Sequence, residues 1–128
     1  GSIYRYLEGK FSELAGLKTD DIAWAKEQGK AYGAAQELDG KGDAKRHILL
    51  GWLAKQSPSP RVASLGIKAR EFIDPSGRKM DEFNNQLGYT FPDSIETRED
   101  AIKEADRLIE SNQALFYTPK ESRQMRGY

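Results

Sequence analysis

The segment from Asp43 to about Gln56 constrains the fold more than any other, because apolar residues cover most of its circumference. Its large apolar residues are Ile48, Leu49, Leu50, Trp52 and Leu53. A helix that is apolar on most sides is stable only when neighbouring elements bury it. The sequence therefore predicts a central helix over this segment, with Asp43 as its N-cap.

The rest of the chain also carries helical periodicity. Apolar residues recur at intervals of three and four in further segments, at residues 3–14, 22–32, 62–72, 80–87 and 101–109. Alternating strand patterns bounded by hairpin turns do not occur. The chain is accordingly predicted to be all-α, a compact bundle of five to six helices around one core. A length of 128 residues suits one domain, which we expect at residues 1–118, followed by a polar, flexible tail at 119–128.

Composition narrows the range of partners. The 20 basic and 20 acidic residues cancel, whereas binding to nucleic acid normally needs a basic excess. The chain has no cysteine, which excludes disulfides and thiolate metal sites. No apolar run approaches the roughly 20 residues of a membrane span. The expected partner is a protein or a cell-envelope component rather than nucleic acid, and virion-associated, secreted and cytoplasmic locations are all compatible with the sequence.

The central helix carries a polar group near its start. His47 is the single histidine of the chain, and Asp43 precedes it by four residues, so both side chains share one helical face. The Asp43 carboxylate can either cap the helix or orient the imidazole ring. Arg46 lies beside them and can neutralise a carboxylate or hold an anionic group of a substrate.

A second polar group follows in a short helix that contains Asp81, Asn84 and Asn85 and is expected to end at Gly88. Spacings of three and four residues allow all three polar side chains to point at one spot. Oxygen-rich groups of this kind suit a hard cation such as Ca²⁺ or Mg²⁺, or a capping and hydrogen-bond network. Asp81 and Asn85 are the candidate ligands of a divalent cation, whereas a single histidine argues against a zinc site.

Glu71 lies beside Phe72 and Ile73. An apolar setting would raise the pKa of this carboxyl group by desolvation, which is what a general acid requires. If the helices converge, Glu71 would serve as the acid and His47 as the base. The alternatives are a solvent-facing Glu71 paired with Arg70, and a histidine that only fills the core or the surface.

Two groups of residues carry a resemblance to known proteins. They are Gly42, Asp43, Ala44, Arg46, His47 and Trp52, followed by Met80, Asp81, Asn84, Asn85 and Gly88. Over residues 40–90 the chain resembles a helical domain that recurs in bacterial toxin-like proteins and in phage proteins. That domain has a histidine-glutamate pair between the two groups, where this chain has Arg70-Glu71. The resemblance implies a polar site without a named reaction, and the missing second histidine puts two-imidazole mechanisms in doubt.

Two functions are compatible with these patterns. The first is a helical binding or structural module of a phage or effector-type protein, in which a buried polar cluster fixes the core. The alternative is a small hydrolase-like enzyme that acts on a cell-envelope polymer or lipid. In that enzyme His47 would be the base and Glu71 the acid, while Asp81, Asn84 and Asn85 would hold the substrate or a cation.

Overall fold

The computed structural model describes residues 19–61 and 78–127 of the chain. These residues form five α-helices, which are α1 (Thr19–Gln28), α2 (Lys41–Gln56), α3 (Arg78–Tyr89), α4 (Arg98–Glu110) and α5 (Pro119–Arg126). Two short 3₁₀ turns, Gly29–Tyr32 and Ala34–Gln36, link α1 to α2. No strand occurs in either described range, and the predicted all-α fold is confirmed.

Helix α2 lies at the centre of the bundle, as its apolar circumference predicts. It packs against α1, α3 and α4, and Ile48 and Leu49 have no exposed surface. The helix begins at Lys41, and its N-cap is Gly40 rather than the predicted Asp43. Asp43 lies in the first turn instead, where the helix dipole also favours a carboxylate.

Helices α2 and α3 touch through their backbones at two glycines. A Cβ atom on Gly88 would lie 1.7 Å from the carbonyl oxygen of Ile48, and one on Gly51 would lie 2.0 Å from that of Asn85. No side chain fits at such distances, so glycine is required at both positions. Because α3 continues to Tyr89, the predicted role of Gly88 as the helix end is wrong, and its role is close packing.

The C-terminal residues form a helix, which corrects the predicted flexible tail after residue 118. Thr118 and Glu121 make a capping box, in which each side chain accepts a hydrogen bond from the backbone N–H of the other residue. Ser122 and Arg126 donate hydrogen bonds to the buried carboxylate of Asp39. The polar composition of this segment predicted disorder, but a cap and a long-range ion pair hold α5 against the bundle.

Apolar residues from several elements complete the described core around α2. Met80 of α3, Ile109 of α4 and Phe91 in the loop between these helices all belong to it. None of the helices in the described ranges is both long and apolar enough to cross a membrane. The predicted helical segments at 3–14 and 62–72 lie outside those ranges.

Candidate functional site

The contact between α2 and α3 brings the two predicted polar groups together. Nε2 of His47 lies 3.1 Å from Oδ1 of Asp81 and 3.3 Å from Oδ1 of Asp43. His47 is 1% exposed, so these groups meet in the interior, where electrostatic interactions are stronger than in water. With Arg46 and Asn85, which also contact His47, these residues form what we call the polar cluster.

Asn85 sets the orientation of the His47 ring. Its side-chain oxygen lies 3.2 Å from Nδ1 of His47. Because a carbonyl oxygen can only accept, Nδ1 must carry a proton and donate it in this hydrogen bond. The other ring nitrogen, Nε2, therefore faces the carboxylates of Asp43 and Asp81.

Arg46 supplies the positive charge next to these carboxylates. Its Nη2 atom lies 2.9 Å from Oδ1 of Asp43 and 3.1 Å from Nε2 of His47. The guanidinium thus contacts the same side of the ring as the two acids. The Arg46 side chain is 26% exposed, so this residue also connects the buried polar cluster with the surface.

Both carboxylate oxygens of Asp43 are engaged. Oδ2 accepts a hydrogen bond from the backbone N–H of Asp39 at 2.9 Å, while Oδ1 faces His47 and Arg46. Burial by itself raises the pKa of Asp43, but the hydrogen bond and charge of His47, followed by the charge of Arg46, lower it well below its usual value. Asp43 therefore contacts the imidazole, as one of its two predicted roles requires, but it does not cap α2, because the N–H that it binds precedes the helix.

A cavity of about 150 Å³ lies beside the polar cluster, at the N-terminal end of α2. It is lined by Lys26, Gly29, Glu37, Gly42, Asp43 and Arg46. Pockets for drug-sized ligands and cofactors are typically about 300–1,000 Å³. The cavity is therefore too small for a whole cofactor, but it can take one polar end group of a larger molecule.

Models of known protein families, curated proteins and solved structures yield no match to this chain. The chemistry of the site must therefore follow from the groups in the polar cluster. Two carboxylates, an imidazole and a guanidinium can fix a hydrogen-bond network, transfer a proton or bind a cation. For proton transfer to a ligand, a base must lie within hydrogen-bond reach of it, and the burial of His47 makes this role the least accessible of the three.

Asn84 does not join the polar cluster, although its spacing in the sequence allowed it to point to the same spot as Asp81 and Asn85. Its side chain donates to the carbonyl oxygen of Leu115 at 2.7 Å and accepts from the Leu115 N–H at 3.0 Å. Consecutive helical residues are about 100° apart around the axis. Asn84 and Asn85 therefore lie on opposite sides of the Asp81 direction, and only Asn85 reaches the imidazole.

The other predicted site residues either meet in the polar cluster or lie outside the described part of the chain. Asp43, Arg46, His47, Asp81 and Asn85 come together in the polar cluster. Glu71 lies outside the described residues, so its predicted pairing with His47 as acid and base stays a prediction.

A second buried charge on α2 escaped the sequence analysis. Lys45 is 3% exposed, and its Nζ atom lies 3.0 Å from Oδ1 of Asp106 on α4. The hydroxyl of Tyr32 donates to the same carboxylate oxygen at 2.9 Å. Burial, followed by the hydrogen bond and charge of Asp106, raises the pKa of Tyr32. The sequence did contain a sign of this ion pair, because Lys45 lies inside the apolar segment and buried lysines are rarely found without a partner.

Proposed function

We propose that this chain is a helical binding module of a phage or effector-type protein, with the cavity beside Asp43 and Arg46 as its ligand site. The burial of His47, with contacts at both ring nitrogens, carries the proposal. An imidazole in this setting holds α2 to α3 and fixes the cavity wall without meeting the ligand. The resemblance over residues 40–90 favours the phage or effector type.

The charges around the cavity indicate the chemistry of its ligand. Lys26 and Arg46 supply two cations, while Glu37 and Asp43 supply two anions. A group that carries both charges, such as the terminal residue of a peptide, would be complementary to this lining. The small volume suits one such end group on a larger partner, either a protein or the peptide-bearing polymer of a cell envelope.

Sedimentation with a bacterial envelope fraction would test the binding function. We expect wild-type protein to pellet with the envelope and Arg46→Gln to pellet several-fold less, because the substitution removes a charge from the cavity. Lys30→Gln is the matched control, since Lys30 is half exposed and forms a 3.2 Å ion pair with Glu27 away from the cavity. Protease treatment of the envelope would distinguish a protein partner from the polymer. Equal retention of wild type and Arg46→Gln, or no retention of either, would contradict the proposal.

A second candidate function is a small hydrolase-like enzyme that acts on an envelope polymer or lipid. The observation in its favour is that Asp43 lines the cavity and also contacts His47, so the imidazole lies one residue behind the cavity wall. Release of soluble fragments from purified peptidoglycan, or of fatty acid from lipid vesicles, would support it. Activity that survives replacement of both His47 and Glu71 would exclude this mechanism.

A further inference from the structure

We propose that Asp43, His47 and Asp81 form a binding site for a divalent transition-metal ion, and that the metal displaces Arg46 when it binds. One potential ligand atom from each of the three residues lies within 4.8 Å of the other two. Two of these residues come from α2 and the third from α3. The proposed metal site does not depend on the proposed binding function, because its ligand atoms belong to the buried polar cluster and not to a partner in the cavity.

The spacing of the ligand atoms matches a small coordination sphere. In a tetrahedral site with bonds of about 2.0–2.1 Å, neighbouring ligand atoms are roughly 3.3 Å apart. Nε2 of His47 lies 3.1 Å and 3.3 Å from the two carboxylate oxygens. Two of the three spacings thus match a tetrahedral site, and the third, between the Asp43 and Asp81 oxygens, is at most 4.8 Å.

The chemistry of the donors favours a transition metal over the hard cation that was one alternative from the sequence. The prediction against zinc was based on the number of histidines alone, whereas here two carboxylates join the imidazole. Ca²⁺ takes six to eight oxygen ligands, whereas imidazole nitrogen suits ions such as Zn²⁺ and Fe²⁺, and carboxylates also suit Mn²⁺. The predicted pair Asp81 and Asn85 is divided in the structure. Asp81 offers an oxygen to the site, but Asn85 contacts the far nitrogen of the ring.

Asn85 supports the site from behind the imidazole. Metal-binding histidines usually donate their second N–H to a carbonyl or carboxylate, which fixes the tautomer and the ring orientation. The 3.2 Å contact between Nδ1 of His47 and the Asn85 oxygen is such an interaction. It leaves Nε2 as the ring nitrogen that can coordinate an ion, and Nε2 faces the two carboxylates.

In the structure Arg46 is the cation beside these ligand atoms. Nη2 of Arg46 lies within 3.1 Å of both Nε2 of His47 and Oδ1 of Asp43. A metal ion requires an entry path, and the cavity that Arg46 lines provides one. Rotation of the arginine into the cavity would open the ligand atoms to an incoming ion, so Arg46 acts as a competing internal cation.

Titration calorimetry with Zn²⁺ and with Mn²⁺ at a fixed neutral pH would test the site. We expect one ion per chain, with affinity lowered more than about 100-fold by His47→Gln and by about 10–100-fold by Asn85→Ala. Arg46→Met keeps an unbranched, flexible side chain without the guanidinium and should raise affinity roughly tenfold, because it removes the competing charge. Asp20→Asn is the control, since the Asp20 side chain is 79% exposed and lies 3.8 Å from Arg98, outside the polar cluster.

Opposite effects of the variants separate a metal site from general destabilisation. Circular dichroism would first establish which variants are folded. If His47→Gln does not fold, the gain in Arg46→Met and the loss in Asn85→Ala still support the site. The proposal is overturned if neither wild type nor Arg46→Met binds an ion, or if folded His47→Gln binds it as tightly as wild type.

Discussion

Arg126, in the last helix, forms an ion pair with Asp39, which lies 87 positions earlier in the chain, and its Nε atom is 2.6 Å from the Asp39 carboxylate. Asp39 has no exposed surface, and its backbone N–H donates to Asp43. The last helix is therefore connected through one residue to the polar cluster. Burial raises the pKa of Asp39, but hydrogen bonds from Arg126 and Ser122 outweigh it and lower the pKa below its usual value.

Arg126→Ala should destabilise the fold by about 3 kcal/mol, because it leaves the buried charge of Asp39 without its cation. The figure is at the low end for a buried pair, since the Arg126 side chain is 17% exposed. Urea denaturation followed by circular dichroism would measure the change. Arg123→Ala, at an exposed position of the same helix, should have almost no effect. Equal denaturation midpoints for the two variants would contradict the structural role of the ion pair.

Gly88→Ala should destabilise the protein by about 3 kcal/mol or more, because its Cβ atom would lie 1.7 Å from the carbonyl oxygen of Ile48. Backbone cannot move aside as a flexible side chain can, so α2 and α3 would have to separate. That separation would also weaken contact between His47 and Asp81. Gln86→Ala, at an exposed position of α3, is the control. Thermal melting that is unchanged in Gly88→Ala would show that the helices are packed less closely.

Local patterns in the sequence were sufficient to predict much of the fold. The apolar circumference around Ile48 and Leu49 made α2 central, and the four-residue spacing placed Asp43 and His47 on one face. Both predictions depend on residues within one helix. The contact between Asp81 and His47 could be predicted only on the assumption that their two helices converge. Sequence patterns within one helix do not show how closely it packs against another.

Apart from the N-cap of α2, the features that sequence analysis missed depend on long-range contacts. Nothing in the local pattern connects Asp39 with Arg126, and a polar segment after residue 118 is compatible with either disorder or a docked helix. Asn84 and Asn85 are chemically identical and adjacent, so only the neighbours of α3 determine which one faces the imidazole. Lys45 was detectable as a charge in an apolar helix, but its partner Asp106 was not.

Asn84 and Asn85 should have separable effects when each is replaced by alanine. Asn84→Ala should destabilise the fold by about 1–3 kcal/mol, because it leaves the Leu115 backbone N–H and C=O without their partner. Its effect on metal affinity should be negligible, since Asn84 does not contact His47. Asn85→Ala should lower both stability and metal affinity. Calorimetry on the two folded variants would compare them, and equal loss of metal affinity in both would contradict the division of roles.

The hydrogen bond between Tyr32 and Asp106 should make stability decline at high pH. The pKa of Tyr32 is raised in the folded protein, whereas in the unfolded chain a tyrosine loses its proton near pH ~10. Above that pH the folded state holds a proton that the unfolded state has released, so the free energy of unfolding falls as pH rises toward the folded pKa. Tyr32→Phe removes the group with the raised pKa, so the free energy of unfolding should fall less steeply with pH in this variant.

Urea denaturation at several pH values between about 9 and 11 would measure this slope. The wild type and Tyr117→Phe should share it, because the second variant keeps the Tyr32–Asp106 hydrogen bond, which is 2.9 Å long. Deprotonation of lysines occurs in all three proteins and cancels in the comparison. A slope in Tyr32→Phe equal to that of Tyr117→Phe would mean that the Asp106 carboxylate does not hold the Tyr32 proton in the folded state.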